Sequence, residues 1–123
     1  MNQTGLLLFG YDRQQADTIK ETLDGLLEKD LFLISASQRE NWKVIDILEE
    51  EPGNLFEEMT PKICMFLGFS REEIDATLKG FPKEKEIARP LFCVPTEHNL
   101  QWRFERLREH LLEEQRRMTR NTG

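Results

Sequence analysis

The sequence predicts an α/β fold, with two β-α-β-α repeats forming one four-stranded, parallel or mixed sheet packed with helices. Three observations predict it. Apolar runs at residues 6–9, 31–34, 63–67 and 91–94 have strand length and no polar alternation, as strands buried on both faces do. Between them lie stretches with apolar residues three and four apart, the spacing of one helix face. The order of events in the first half also recurs in the second, at an offset of 58 residues that becomes 60.

Leu6-Leu7-Leu8-Phe9 stops at Gly10. Asp12 has a short acceptor side chain that caps a helix, and Gln15 stands where it can reach back to the cap amide. Ala16, Ile19, Leu23, Leu26 and Leu27 form the inward stripe until Asp30 breaks it. Leu31-Phe32-Leu33-Ile34 is the second strand, and Ser35-Ala36-Ser37 is a small polar loop. Ser37 and Glu40 have S-x-x-E spacing, which predicts a second helix from Ser37 carrying Trp42, Ile45 and Leu48 inward. An extended Val44-Ile45-Asp46-Ile47 is the alternative, since β-branched residues are dense there. Pro52-Gly53 ends the helix, and residues 54–59 are expected to form one helical turn before Thr60-Pro61.

The second half runs in parallel. Gly68 ends the third strand, Ser70 caps a helix, and Glu73 completes the capping box. Ile74, Leu78 and Phe81 point inward, and Gly80 and Pro82 stop the helix. Lys83-Glu84-Lys85-Glu86 reads as a solvated turn. The fourth strand ends at Pro95. Thr96 or Asn99 can then cap a last helix through Trp102, Phe104, Leu107, Leu111 and Leu112, with a polar tail at 113–123 expected to fray.

Laid over one another, Leu8-Phe9-Gly10-Tyr11-Asp12-Arg13 matches Phe66-Leu67-Gly68-Phe69-Ser70-Arg71, and Trp42 matches Trp102. The expected organisation is one domain over 1–123: repeat one at about 5–50, a linker at 51–61, repeat two at about 62–112, and the tail. A unit of that size closes a core poorly alone, so the two halves are expected to share one sheet. A pseudo-twofold axis through it would make the halves antiparallel. Gly10, Gly68, Ser70, Glu73, Trp42 and Trp102 are structural in this reading: turns, caps and wedges between helix and sheet.

Composition narrows the function. With 38% apolar and 33% charged residues and a mean hydropathy of −0.59, the chain reads as soluble and globular. No apolar run approaches the roughly 20 residues of a membrane span, and the first residues do not read as a signal peptide. Cys64 and Cys93 sit in apolar runs and read as buried thiols, with a disulfide between neighbouring strands as the alternative. The two cysteines and two histidines have no zinc spacing, so no metal and no cofactor are expected, and the cytoplasm is the expected compartment. Neither half carries a phosphate-binding glycine motif. The net charge of −6 disfavours nucleic acid. That charge is uneven: from Arg103 to Arg120 six arginines meet four glutamates, net +2, so the first 102 residues hold −8.

Gly68-Phe69-Ser70-Arg71-Glu72-Glu73-Ile74-Asp75, then Leu78, Leu91-Phe92-Cys93-Val94-Pro95-Thr96, Asn99 and Trp102 form a pattern of their own. Over residues 62–112 it resembles a small bacterial domain known only as a domain of unknown function. Members look like a strand, a Gly-Phe-Ser-x-Glu-Glu helix start, a second strand, a Pro-Thr-Asn loop, a tryptophan and an amphipathic helix. Val94 and Glu97 depart from the pattern on either side of Pro95-Thr96, and the stretch from Pro95 to Trp102 is longer here. The first half looks like a divergent copy. The resemblance implies no activity, substrate or cofactor.

Ligands of open α/β sheets sit beyond the carboxyl ends of strands. That places a candidate ligand site at Thr96, Glu97, His98 and Asn99, joined by Ser35 and Ser37 from the other half. Glu97 and His98 could serve as an acid–base pair, with Tyr11 or Asp12 supplied by tertiary contact. No nucleophile accompanies them in sequence, so the leading expectation is a non-enzymatic protein-interaction or regulatory module that contacts a protein partner or self-associates as a homodimer. A small-molecule or catalytic domain using the loops after the strands is the alternative. Nucleic-acid contact through the C-terminal arginines comes third.

Overall fold

Apolar runs with no polar alternation become the strands, and the computed structural model describes them within residues 3–50 and 55–122, with side chains through Thr119. The elements are β1 (Gly5–Phe9), α1 (Arg13–Leu27), β2 (Phe32–Ser35), α2 (Val44–Glu49), β3 (Ile63–Leu67), α3 (Arg71–Gly80), β4 (Leu91–Cys93) and α4 (Phe104–Thr122). One four-stranded sheet has the order β2-β1-β3-β4. β1 and β2 are parallel, β3 and β4 are parallel, and the two central strands run antiparallel, so the sheet is mixed.

The central register sets Leu7 opposite Met65, its counterpart at the offset of 58. At the edges Phe32 lies opposite Gly5, and Leu91 lies opposite Ile63. That equates Phe32 with Leu91, one residue away from the match of 31–34 with 91–94. Two apolar runs match at any register, but a slip of one residue moves each side chain to the other face. Leu33 and Phe92 pack on one face, while Ile34 and Cys93 pack on the other.

Helices cover both faces. Leu6, Leu8, Cys64 and Phe66 meet Ala16, Ile19 and Leu23 of α1 and Ile74 and Leu78 of α3. Leu7, Phe9, Ile63 and Met65 meet Val44 and Ile47 of α2 and Phe104, Leu107 and Leu111 of α4. β1 and β3 are buried throughout, which explains their unbroken hydrophobicity.

Both predicted caps form. Asp12 Oδ1 accepts from Gln15 N–H at 2.8 Å, and Gln15 Oε1 accepts from Asp12 N–H at 2.8 Å. Ser70 and Glu73 repeat the exchange at 3.2 and 2.9 Å. The glycines before them have positive φ, 95° at Gly10 and 73° at Gly68. A Cβ at Gly10 would sit 2.8 Å from Met59 O, and one at Gly68 2.7 Å from Gln3 O.

Several expectations change. α2 begins at Val44 rather than Ser37, because the Ser37 hydroxyl accepts from Glu57 N–H instead of capping a first turn. Its fully buried residues are Val44 and Ile47; Leu48 packs half-buried against the same core, as does Trp42 from outside the helix. Residues 55–59 form an irregular strap without a helical turn, held by Ser35 Oγ donating to Leu55 O and Met59 N–H donating to Gly10 O. Pro52-Gly53 and Asn54 lie outside the described residues. Leu26 is 44% exposed, packing its tip against Gly80 of α3. A 3₁₀ turn at Asn99–Gln101 precedes α4, so Trp102 stands before the helix. The expected frayed tail is helical to Thr122, supported by Glu113–Arg116, Glu113–Arg117 and His110–Glu114 pairs at helical spacing. Cys64 and Cys93 are both free thiols, since they face opposite layers of the sheet.

Candidate functional site

The six predicted loop residues do not converge. Ser35 is the last residue of β2 and Ser37 lies just beyond it, whereas Thr96, Glu97, His98 and Asn99 lie beyond the carboxyl end of β4. Because β1 and β3 are antiparallel, those loops lie at opposite ends of the strands, at least a strand length of roughly 15 Å apart, and on opposite edge strands of the sheet. The four-loop site expected from the sequence is therefore two separate loop pairs.

Their polar atoms serve the chain itself. Ser35 Oγ accepts from Ser37 N–H, and Ser37 Oγ from Glu57 N–H, both at 3.1 Å. Thr96 and Asn99 exchange hydrogen bonds at 2.8 and 3.0 Å, and Asn99 Nδ2 donates to Val94 O at 3.0 Å. Glu97 and His98 are exposed and share no site with Ser35 or Ser37. Tyr11 is buried and donates its hydroxyl to Ala88 O at 2.5 Å. Burial pushes its pKa up, so it stays protonated. Asp12 is held in its capping box.

A groove forms elsewhere, where the two halves meet on the α2–α4 side. Val44 N–H donates to Trp102 O at 2.9 Å, and Phe104 N–H donates to Trp42 O at 2.8 Å. Lys43 and Arg103 face each other across this antiparallel bridge. Glu105 N–H donates to Glu40 O at 2.8 Å. The amides of Val44, Phe104 and Glu105 thus have backbone partners, which removes them as donors to an anion.

Beside the bridge lies a cleft of about 660 Å³, lined by Lys43, Arg103, Arg106 and Arg108, by Glu105 and Glu109, and by Trp102. Trp102 is half-buried and packs against the core, as a wedge would. The Arg106 guanidinium lies 4.7 Å from its ring centroid, and His110 meets the ring edge-on at 5.1 Å. Trp42 is similarly half-buried, under Arg39 at 4.7 Å. Arg103 Nη1 donates to Asn41 O at 2.7 Å. Among the described residues, none of the four cleft cations forms an ion pair. The uneven charge of residues 103–120 points to the arginines but not to the cleft. The matched tryptophans at an offset of 60 were its only signal, because Lys43 reaches Arg103 only through the fold.

Among the described residues no cluster of histidine, cysteine or carboxylate side chains could hold a metal ion. Among the described residues no helix is long and apolar enough to cross a membrane. Residues 62–118 match the family model described as a domain of unknown function, DUF3783. The resemblance read over residues 62–112 falls inside that match, which spans β3, α3, β4 and the cleft residues of α4. No curated protein and no solved structure matches the chain.

Proposed function

We propose that the protein is a non-enzymatic interaction or regulatory module of the bacterial cytoplasm, engaging a protein partner or a second copy through the Trp102 cleft. One contrast carries the reading. The polar groups of Ser35, Ser37, Thr96 and Asn99 are engaged with nearby backbone, whereas the cleft presents an aromatic wall and four cations that form no ion pair among the described residues. An internal repeat belongs to the same reading. It is supported by the strand order, which is the same from either edge, and by two places where counterparts face each other, Leu7 with Met65 and Lys43 with Arg103.

The test is a photo-crosslinking side chain at Gln101 in the cleft, with a control at Glu21 on α1. Adducts to another polypeptide at Gln101 and not at Glu21 are expected; the same pattern at both sites refutes the reading. Light scattering at micromolar concentration reports whether the partner is a second copy. A small-molecule site is the second reading, because the cleft volume falls within the range of about 300–1,000 Å³ usual for ligand pockets.

A further inference from the structure

We infer that the Trp102 cleft takes a short acidic polypeptide segment, its carboxylates meeting Lys43, Arg103 and Arg106 and an apolar side chain meeting Trp102. The inference rests on reading the cleft as an interaction surface. Its charge is opposite in sign to that of the chain: four cations against two carboxylates in the lining, in a protein of net −6. Lys43, Arg103 and Arg106 are exposed, so their charges are available to a partner.

Length of the occupant follows from screening. Attraction to a local +2 patch persists over about one Debye length, 8–10 Å at ordinary salt. A long polyanion would run from the cleft onto the acidic body and be repelled there. A segment that ends within the cleft meets the cations alone. This favours an acidic peptide over nucleic acid, which the cleft also lacks aromatic platforms in series to bind. The apolar half of the occupant follows from Trp102, whose ring is half-buried beside the stacked Arg106. Simple inorganic anions would leave that wall uncovered. Charge complementarity of this kind governs partner choice and association rate more than total affinity.

The experiment uses fluorescein-labelled peptides of alternating Glu-Leu, Lys-Leu and Gln-Leu, followed by anisotropy against the full chain. The Glu-Leu peptide is expected to bind at least about tenfold tighter than the other two and to weaken with salt. Lys43→Glu with Arg106→Glu is expected to reverse the preference toward Lys-Leu, with circular dichroism checking the fold. If that pair unfolds, Lys43→Gln with Arg106→Gln carries the test, with loss of the acidic preference expected. No acidic preference, an unchanged preference in the variants, or equally tight competition by oligothymidine each overturns the inference. Crosslinks at Gln101 that survive the charge reversal overturn the acidic occupant while leaving the interaction reading intact. Loss of the contrast between Gln101 and Glu21 in the unaltered protein sinks that reading itself.

Discussion

Lys43 and Arg103 sit opposite one another in a single antiparallel bridge, flanked by reciprocal hydrogen bonds between Val44 and Trp102 and between Phe104 and Trp42. The bridge joins the starts of α2 and α4 and positions Lys43 beside the α4 arginines. Phe104 anchors it from below: fully buried, it holds its ring 5.1 Å from that of Phe9. Phe104→Ala is expected to cost about 3–5 kcal/mol, through lost burial and an unfilled cavity. Urea unfolding measures it. A cost under about 1 kcal/mol would contradict this packing.

The two turn glycines answer to backbone oxygens rather than flexible side chains. Gly10→Ala and Gly68→Ala each combine a positive φ with a Cβ under 3 Å from a carbonyl. Each is expected to destabilise by more than about 1 kcal/mol. Gly25→Ala is the internal control, since nothing lies within 4 Å of the added Cβ. It lies within α1 and should stabilise by roughly 0.4–1 kcal/mol.

Thr77 is fully buried on α3, and its hydroxyl has no hydrogen-bond partner among the described residues. An unmade buried bond costs about 1–3 kcal/mol. Thr77→Val replaces the hydroxyl with a methyl of similar shape and is expected to raise the urea midpoint. A lowered midpoint would mean that the hydroxyl is satisfied.

Glu73 links α3 to the end of α1. Its hydrogen bond from Lys29 Nζ, 2.5 Å away, and the Ser70 backbone N–H hold its carboxyl below the usual range. A carboxylate with a depressed folded pKa stabilises fully above its unfolded value of about 4.3. That contribution is lost as pH falls through the folded value. Glu73→Gln keeps the cap acceptor but removes the charge. Its stability should therefore fall less steeply below about pH 4 than that of the unaltered chain. Parallel acid-unfolding curves would rule this out.

Both thiols should be slow to react. Burial pushes Cys64 well above the ordinary thiol range, and burial with the nearby Glu114 charge pushes Cys93 up to about 12. Thiolate is the reactive form, so alkylation at neutral pH should be slow in the folded chain and rapid in urea. Mass spectrometry of labelled peptides would show it; rapid native labelling of Cys64 would be incompatible with its burial.

Four strands, both capping boxes and the two turn glycines are legible in the sequence. Each depends on residues within a few positions: a solid apolar run, Asp12 with Gln15, Ser70 with Glu73. Local chemistry misled where a long-range partner claimed the group. Ser37 has cap spacing, yet its hydroxyl serves Glu57 twenty residues away. Direction was decided only in three dimensions. Antiparallel pairing of β1 with β3 sends Ser35 and Thr96 to opposite ends of the sheet's strands, so residues that read as one site are two. The same pairing brings Lys43 to Arg103 across sixty residues and creates a cleft that no single stretch encodes. Side-chain pattern fixes which residues are buried, because burial is local chemistry. Which surfaces meet depends on strand direction and register, and the same apolar runs would satisfy several of those.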